Sequence, residues 1–229
     1  MPKSPTYVII PVFNEALVAP SVVESVLAAG YGVIAVDDGS TDDSYRQLAK
    51  LPIHLLRHEV NLGQGAALMT GMEYATQLDC EWIVHLDADG QHAVEDIEAL
   101  LAPIRAGLAE VTLGSRFLRA SDESQVPKSR RMLLRWAIAF HRMYAGIALS
   151  DAHNGFRAMN RAAFGQISLK ENRMAHATEI LTEIKRLGLR YQEVPVSIQY
   201  TDYSKAKGQT VWGMFSILSD LITRKLLSP

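Results

Sequence analysis

The feature that most constrains this chain is a repeated change of hydrophobic period. Short apolar runs alternate with amphipathic stretches through the first half of the sequence. TYVIIPVF (6–13), GVIAVDDGS (32–40), IHLLRHE (53–59), EWIVHLD (81–87) and EVTLGSRF (110–117) read as strands. ALVAPSVVESVLAA (16–29), TDDSYRQLAKL (41–51), GQGAALMTGMEYATQ (63–77) and AVEDIEALLAPIRAG (93–107) read as helices. Local chemistry agrees. Pro20 falls near a first turn, Thr41 and Asp42 suit a cap, and acids open the fourth helix. This alternation predicts an α/β fold, a mostly parallel sheet with helices on both faces. Ligands of such sheets bind beyond the carboxyl ends of the strands. The polar clusters lie at those ends: NE after the first strand, DDGS after the second, DADG and GSR after later ones.

Composition narrows the function classes. At 229 residues and 48% hydrophobic content the chain can build one large core. A formal net charge of -2 gives no bulk field for nucleic acid, so none is expected as a partner. A single cysteine, Cys80, excludes a disulfide framework and a cysteine zinc site, and reads as a core residue. The opening MPKSPTYVIIPVFNE has too short an apolar run for a signal peptide. No run reaches the roughly 18 to 20 uncharged apolar residues of a membrane span. The nearest, MLLRWAIAFHRMYAGIAL, carries Arg135, His141 and Arg142. A cytoplasmic protein is expected, with attachment to the cytoplasmic face of a membrane left open.

After residue 120 a polar loop, RASDESQVPKSRR, leads to a long helix, then DAHNGFRAMNR and a helix over 174–187. A strand, YQEVPVSIQY, a polar loop, TDYSKAKGQ, and a final apolar helix follow. In the helix at 130–149, Arg131, Arg135 and Arg142 fall within about 40° of each other. Leu133, Trp136, Phe140, Tyr144 and Ile147 lie opposite. That pattern fits a core-packed amphipathic helix or one lying on an anionic membrane surface. The apolar tail fits a membrane surface, a membrane-protein partner or a second copy of the chain in a homodimer.

Three motifs carry chemistry. In HLDADG, Asp87 and Asp89 end an apolar strand; where the chain turns, both can converge on one Mg²⁺ or Mn²⁺. In VDDGSTDDS, Asp37 and Asp38 can accept from a nucleobase or ribose, and the following residues suit a turn and cap. NLGQGAALMTG is neither G-x-G-x-x-G nor a P-loop, so close helix–sheet packing outweighs phosphate binding.

PVFNE, VDDGSTDDS, NLGQGAALMTG, LDADGQH and GSRF, in this order, resemble family 2 glycosyltransferases of the GT-A fold; NGFRAMNR and EVPVSIQYTDYSKAKGQ continue the match. The likeness is nearest to polyprenyl-phosphate sugar transferases of the dolichol-phosphate mannose synthase type. It implies one GT-A (Rossmann-like) domain over 1–229: a nucleotide-sugar half (1–119) and an acceptor half (120–229) with amphipathic helices. It implies inverting transfer from a UDP- or GDP-sugar with Mg²⁺ or Mn²⁺. Pro11, Phe13, Glu15, Val36 and Asp38 would line the nucleoside pocket, Phe13 standing where tyrosine is common. Asp87, Ala88, Asp89 and Gln91 would form the metal and diphosphate turn. Arg116, Arg130 and Lys205 would face phosphates; Gln199 replaces an arginine expected near Lys205, with Lys207 as a substitute.

The departing diphosphate needs its charge neutralised by a cation and by Arg or Lys. A lipid-phosphate acceptor is already anionic and needs no strong base. A glycan hydroxyl needs a carboxylate, for which Glu179 is the candidate, although a helix-surface glutamate is its plainer reading. A nucleotidyltransferase would open on a Gly- and Arg-rich loop, which IIPVFNE lacks.

Overall fold

The structure, a computed structural model, describes residues 6–118, 149–151, 154–172 and 175–198. The helix expected at 130–149, Arg130, Lys205 and the tail lie outside the described residues.

Seven strands and six helices are described. The strands are β1 (Thr6–Val12), β2 (Gly32–Asp37), β3 (His54–Arg57), β4 (Trp82–His85), β5 (Val111–Ser115), β6 (Arg157–Asn160) and β7 (Tyr191–Pro195). The helices are α1 (Ala19–Ala28), α2 (Ser44–Leu48), α3 (Gln64–Thr76), α4 (Asp96–Arg105), α5 (Arg161–Phe164) and α6 (His176–Arg186). The sheet order is β3-β2-β1-β4-β6-β5-β7. β6 alone among these strands runs against its neighbours, pairing antiparallel with β4 and β5. The mostly parallel sheet expected from the sequence is present.

Two apolar cores sandwich the sheet. Val8, Ile10, Val33 and Ala35 pack against α1, α2 and α4. Ile9, Ile34, Val36 and Met159 pack against α3, α5 and α6. Every residue of β2 is buried, which is why its sequence is an unbroken apolar run rather than an alternation. The glycines of α3 serve this packing. A Cβ on Gly71 would stand 2.4 Å from Ile9 Cγ2 of β1. At the far end of α3, Arg161 donates to the carbonyls of Thr76, Leu78 and Cys80 at 2.6–3.0 Å, satisfying groups that helix ends leave open.

The strands end before the stretches read as strands do. β2 stops at Asp37 and β4 at His85, so Asp87 and Asp89 belong to the loop beyond the sheet. β6 was not anticipated. Its RAMN is only four residues long and sits behind a polar loop. Among the described residues, no helix is long and apolar enough to cross a membrane.

Candidate active site

The carboxyl ends of β1 and β2 are bolted together. Asn14 adopts φ 54, a left-handed conformation that asparagine tolerates. Its Oδ1 accepts from the Thr41 and Asp42 backbones at 2.9 and 3.3 Å, while the Glu15 N–H donates to Ser44 Oγ at 2.8 Å. The hydroxyls of the DDGSTDDS turn thus hold the loop after β1. Pro11 and Glu15 are half-buried at this edge and Phe13 is 43% exposed. Val36 and Ala88 are buried in the two cores, so their side chains are framework.

Asp37 and Asp38 do not share a pocket. Successive residues of an extended chain point to opposite faces. Asp37 turns toward α2, where Arg57 Nε stands 3.2 Å from its Oδ2 and the guanidinium covers the Tyr45 ring. This buried aspartate is therefore half of an ion pair. Asp38 turns toward α3. It accepts from the amides of Leu62 and Gly63 at 2.9 and 2.7 Å and faces His58 Nδ1 at 2.7 Å. Those bonds fix the glycine turn that opens α3, and leave Asp38 at the edge shared with Phe13.

The DAD turn splits its charges unequally. Asp87 Oδ1 accepts from Gln64 Nε2 at 2.8 Å, and Oδ2 lies 3.4 Å from His92 Nε2. Burial opposes its ionisation, yet His92, Arg157 and His176 hold its carboxyl below the usual range. Asp89 is bonded within its own turn: Gln91 N–H donates to Oδ1 at 3.0 Å and Gln91 Nε2 to Oδ2 at 2.9 Å. Burial and the charge of Asp87 push the Asp89 carboxyl up. Gln91 thus offers its amide nitrogen to Asp89 and braces it, which leaves its amide oxygen uncommitted. Two neighbouring carboxylates, one with raised proton affinity, suit a hard divalent cation. Among the described residues no group of three or more His, Cys, Asp or Glu is gathered for a metal. A cation on Asp89 would therefore draw its other ligands from water and phosphate, as Mg²⁺ commonly does.

Across the sheet, Arg116 forks onto buried Asp151, Nε to Oδ2 at 2.6 Å and Nη2 to Oδ1 at 2.8 Å. Glu193 of β7 holds that turn by accepting from Ser150 N at 2.8 Å and Asp151 N at 3.2 Å. Glu179 sits elsewhere in the hydrogen-bond pattern. Its carboxylate accepts from the backbones of Lys170 and Glu171 at 2.8–3.0 Å. It clamps that segment, as the plainer reading of a helix-surface glutamate allows.

Behind Asp87 lies a buried basic cluster that motif reading missed. His85 and Arg157 are cross-strand neighbours of β4 and β6, and both are almost fully buried. Burial, then the charges of Arg157 and His176, pushes the His85 imidazole down to about 3. Neither His85 nitrogen has a hydrogen-bond partner. The sign follows: below about pH 6.5 the unfolded chain takes up a proton that folded His85 refuses, so stability falls with pH until about 3. Relative to His85→Leu, the wild type should lose about 2 kcal/mol between pH 7 and 5. Urea titrations at the two pH values measure this; parallel losses in both proteins would exclude it. The signal available in sequence was a histidine inside an otherwise apolar strand, WIVHL.

The sequence profile of glycosyl transferase family 2 matches residues 7–168. UDP-N-acetylglucosamine--dolichyl-phosphate N-acetylglucosaminyltransferase of Methanococcus voltae is 30% identical over 240 residues, spanning 96% of this chain and 96% of that protein. Polyprenol monophosphomannose synthase of Mycolicibacterium smegmatis is 28% identical over 223 residues, 92% of this chain and 84% of that protein. Among solved structures, glucosyl-3-phosphoglycerate synthase from Mycobacterium tuberculosis, with Mn²⁺, uridine diphosphate and glucosyl-3-phosphoglycerate, superposes with TM-score 0.69. That match covers 96% of this chain and 78% of that one at 17% identity, and it shows a shared fold.

Proposed function

The chain belongs to glycosyl transferase family 2 and is a glycosyltransferase of GT-A fold, and on that footing we propose that it transfers a sugar from a UDP- or GDP-sugar to a polyprenyl-phosphate acceptor, with inversion. The observation that carries the metal-assisted part is the unequal DAD turn: Asp87 is surrounded by basic groups, and Asp89 is left with raised proton affinity. Asp89 would hold the divalent cation, which supplies positive charge to the departing diphosphate. Asp87 would address the donor beside it, and Phe13, Glu15 and Asp38 would border the nucleoside. Arg116, aimed by Asp151, would face phosphate with whatever edge of its guanidinium the fork leaves.

The acceptor class is supported by what the site does with its carboxylates. A hydroxyl acceptor needs a base, and the oxygens of Glu179 are committed to backbone amides. A phosphate monoester needs none: its oxygen is already anionic and attacks the anomeric carbon opposite the diphosphate. On the polyprenyl-phosphate reading the acceptor is carried by a lipid, and the site would work at a bilayer surface.

Calorimetry with UDP and GDP, each with and without Mn²⁺, tests the donor. One nucleotide should bind, more tightly with the metal. Binding of neither would overturn the donor assignment, and pyrophosphate release from a nucleoside triphosphate and a sugar phosphate would move the protein to another enzyme class.

A further inference from the structure

Asp87 is held from three directions by parts of the chain far apart in sequence. Gln64, the first residue of α3, donates to Oδ1 at 2.8 Å. His92, beyond the DAD turn, places Nε2 3.4 Å from Oδ2. Gly155, in the segment leading to β6, forms the third wall: a Cβ there would stand 2.8 Å from Oδ2 and 3.2 Å from Oδ1. The side chain of Asp87 keeps 32% exposure, so one edge stays open to the site.

His92 is itself immobilised. Its side chain is 5% exposed, its ring lies 4.8 Å from the Phe156 ring, and its backbone bridges to Ile198. A histidine so placed is not a surface residue that happens to lie near a carboxylate. Phe156 fixes it from below, and Phe156 directly follows the glycine that touches Asp87. Asp89 differs in kind, because Gln91, two residues along, holds it within its own turn. One carboxylate is tied to the body of the fold and the other travels with its loop.

We propose that His92, Gln64 and the bare face of Gly155 are a positioning device that fixes Asp87 in one rotamer, presenting its open edge to the donor. This rests on the donor reading above. Groups outside the ligand shell that orient a metal-site residue commonly change affinity or activity by about 10- to 100-fold when altered, and an ångström of displacement suffices for such a loss.

The test uses three variants of the whole chain. His92→Phe keeps a ring against Phe156 and removes the nitrogen facing Asp87. His92→Gln keeps an N–H donor in its place. Gly155→Ala crowds the carboxylate without removing any bond. Each is assayed for sugar transfer and, by calorimetry, for nucleotide binding with and without Mn²⁺. His92→Phe and Gly155→Ala should lose about 10- to 100-fold in kcat/KM, with Mn²⁺-dependent nucleotide binding weakened in parallel. His92→Gln should recover most of both, a rescue that ring packing alone would not give. Wild-type values in His92→Phe would overturn the proposal, as would equal losses in the Phe and Gln variants. Should Gly155→Ala fail to fold, the His92 pair decides. Wild-type nucleotide binding separates the two readings: binding of neither nucleotide overturns the donor reading, whereas wild-type binding that His92→Phe leaves unchanged overturns the positioning device alone.

Discussion

Asp89→Asn should lower kcat for sugar transfer by about 10³-fold and raise the melting temperature of the metal-free protein. The activity loss follows from removing the carboxylate that would carry the cation. The gain in stability follows from the same charge. Burial and Asp87 raise the proton affinity of Asp89 in the folded state above its unfolded value. The folded protein therefore binds that proton more tightly than the unfolded chain. Metal-free stability rises as pH falls toward the raised value and is reduced above it. Asparagine removes that charge at every pH. Melting curves with and without Mn²⁺ should show opposite orders: the variant above wild type without metal, and wild type alone gaining when metal is added. Substantial residual transfer, beyond a tenth of wild type, would refute the assignment.

Arg157→Met should cost about 3–5 kcal/mol of folding stability, the range for removing one partner of a buried ionic group. Arg157 is among the largest fully buried side chains, and its Nε donates to the Asn154 carbonyl at 3.2 Å. Burial lowers its pKa to about 10 while Asp87 and Asp151 hold it up, so the guanidinium remains charged at neutral pH. The charges of Asp87 and Asp151 act on it, and Arg116 forks onto Asp151. Removing Arg157 leaves Asp87 with only histidines and an amide, and removes a favourable charge from the surroundings of Asp151. Urea unfolding at pH 7 measures the loss. A change below about 1 kcal/mol would mean that the surrounding carboxylates do not depend on this cation.

The sheet and most of the helices were legible because each depends on local patterning. An unbroken apolar run such as GVIAV can satisfy its side chains only between two helical layers. The DAD, DDGS and GSR turns were legible because parallel strands must end at one edge. What could not be read was which way side chains turn once a strand has stopped. Asp37 and Asp38 look equivalent in sequence, and the parity of the chain sends one to Arg57 and the other to the turn before α3. Partners distant in sequence were hidden for the same reason. Asp151 meets Arg116 across 35 positions, and Glu193 meets Ser150 across 43. The partners of Glu179 were hidden too, because a helical glutamate gives no sign that two backbone amides of another segment will reach it. β6 was missed because four residues behind a polar loop are too few to show a period.

The reversed strand β6 has a consequence for modularity. It lies between β4 and β5, so a segment from beyond residue 150 is threaded into the sheet built by the first 119. The carboxylates of the DAD turn follow β4, and Gly155, which lies against Asp87, enters from the opposite direction just before β6. The first 119 residues expressed alone would leave the ladder edges of β4 and β5 without their shared partner, and open edges recruit other chains. The first 119 residues and the described segments beyond residue 150 thus share one sheet, and the first 119 cannot be cut away as a self-contained unit.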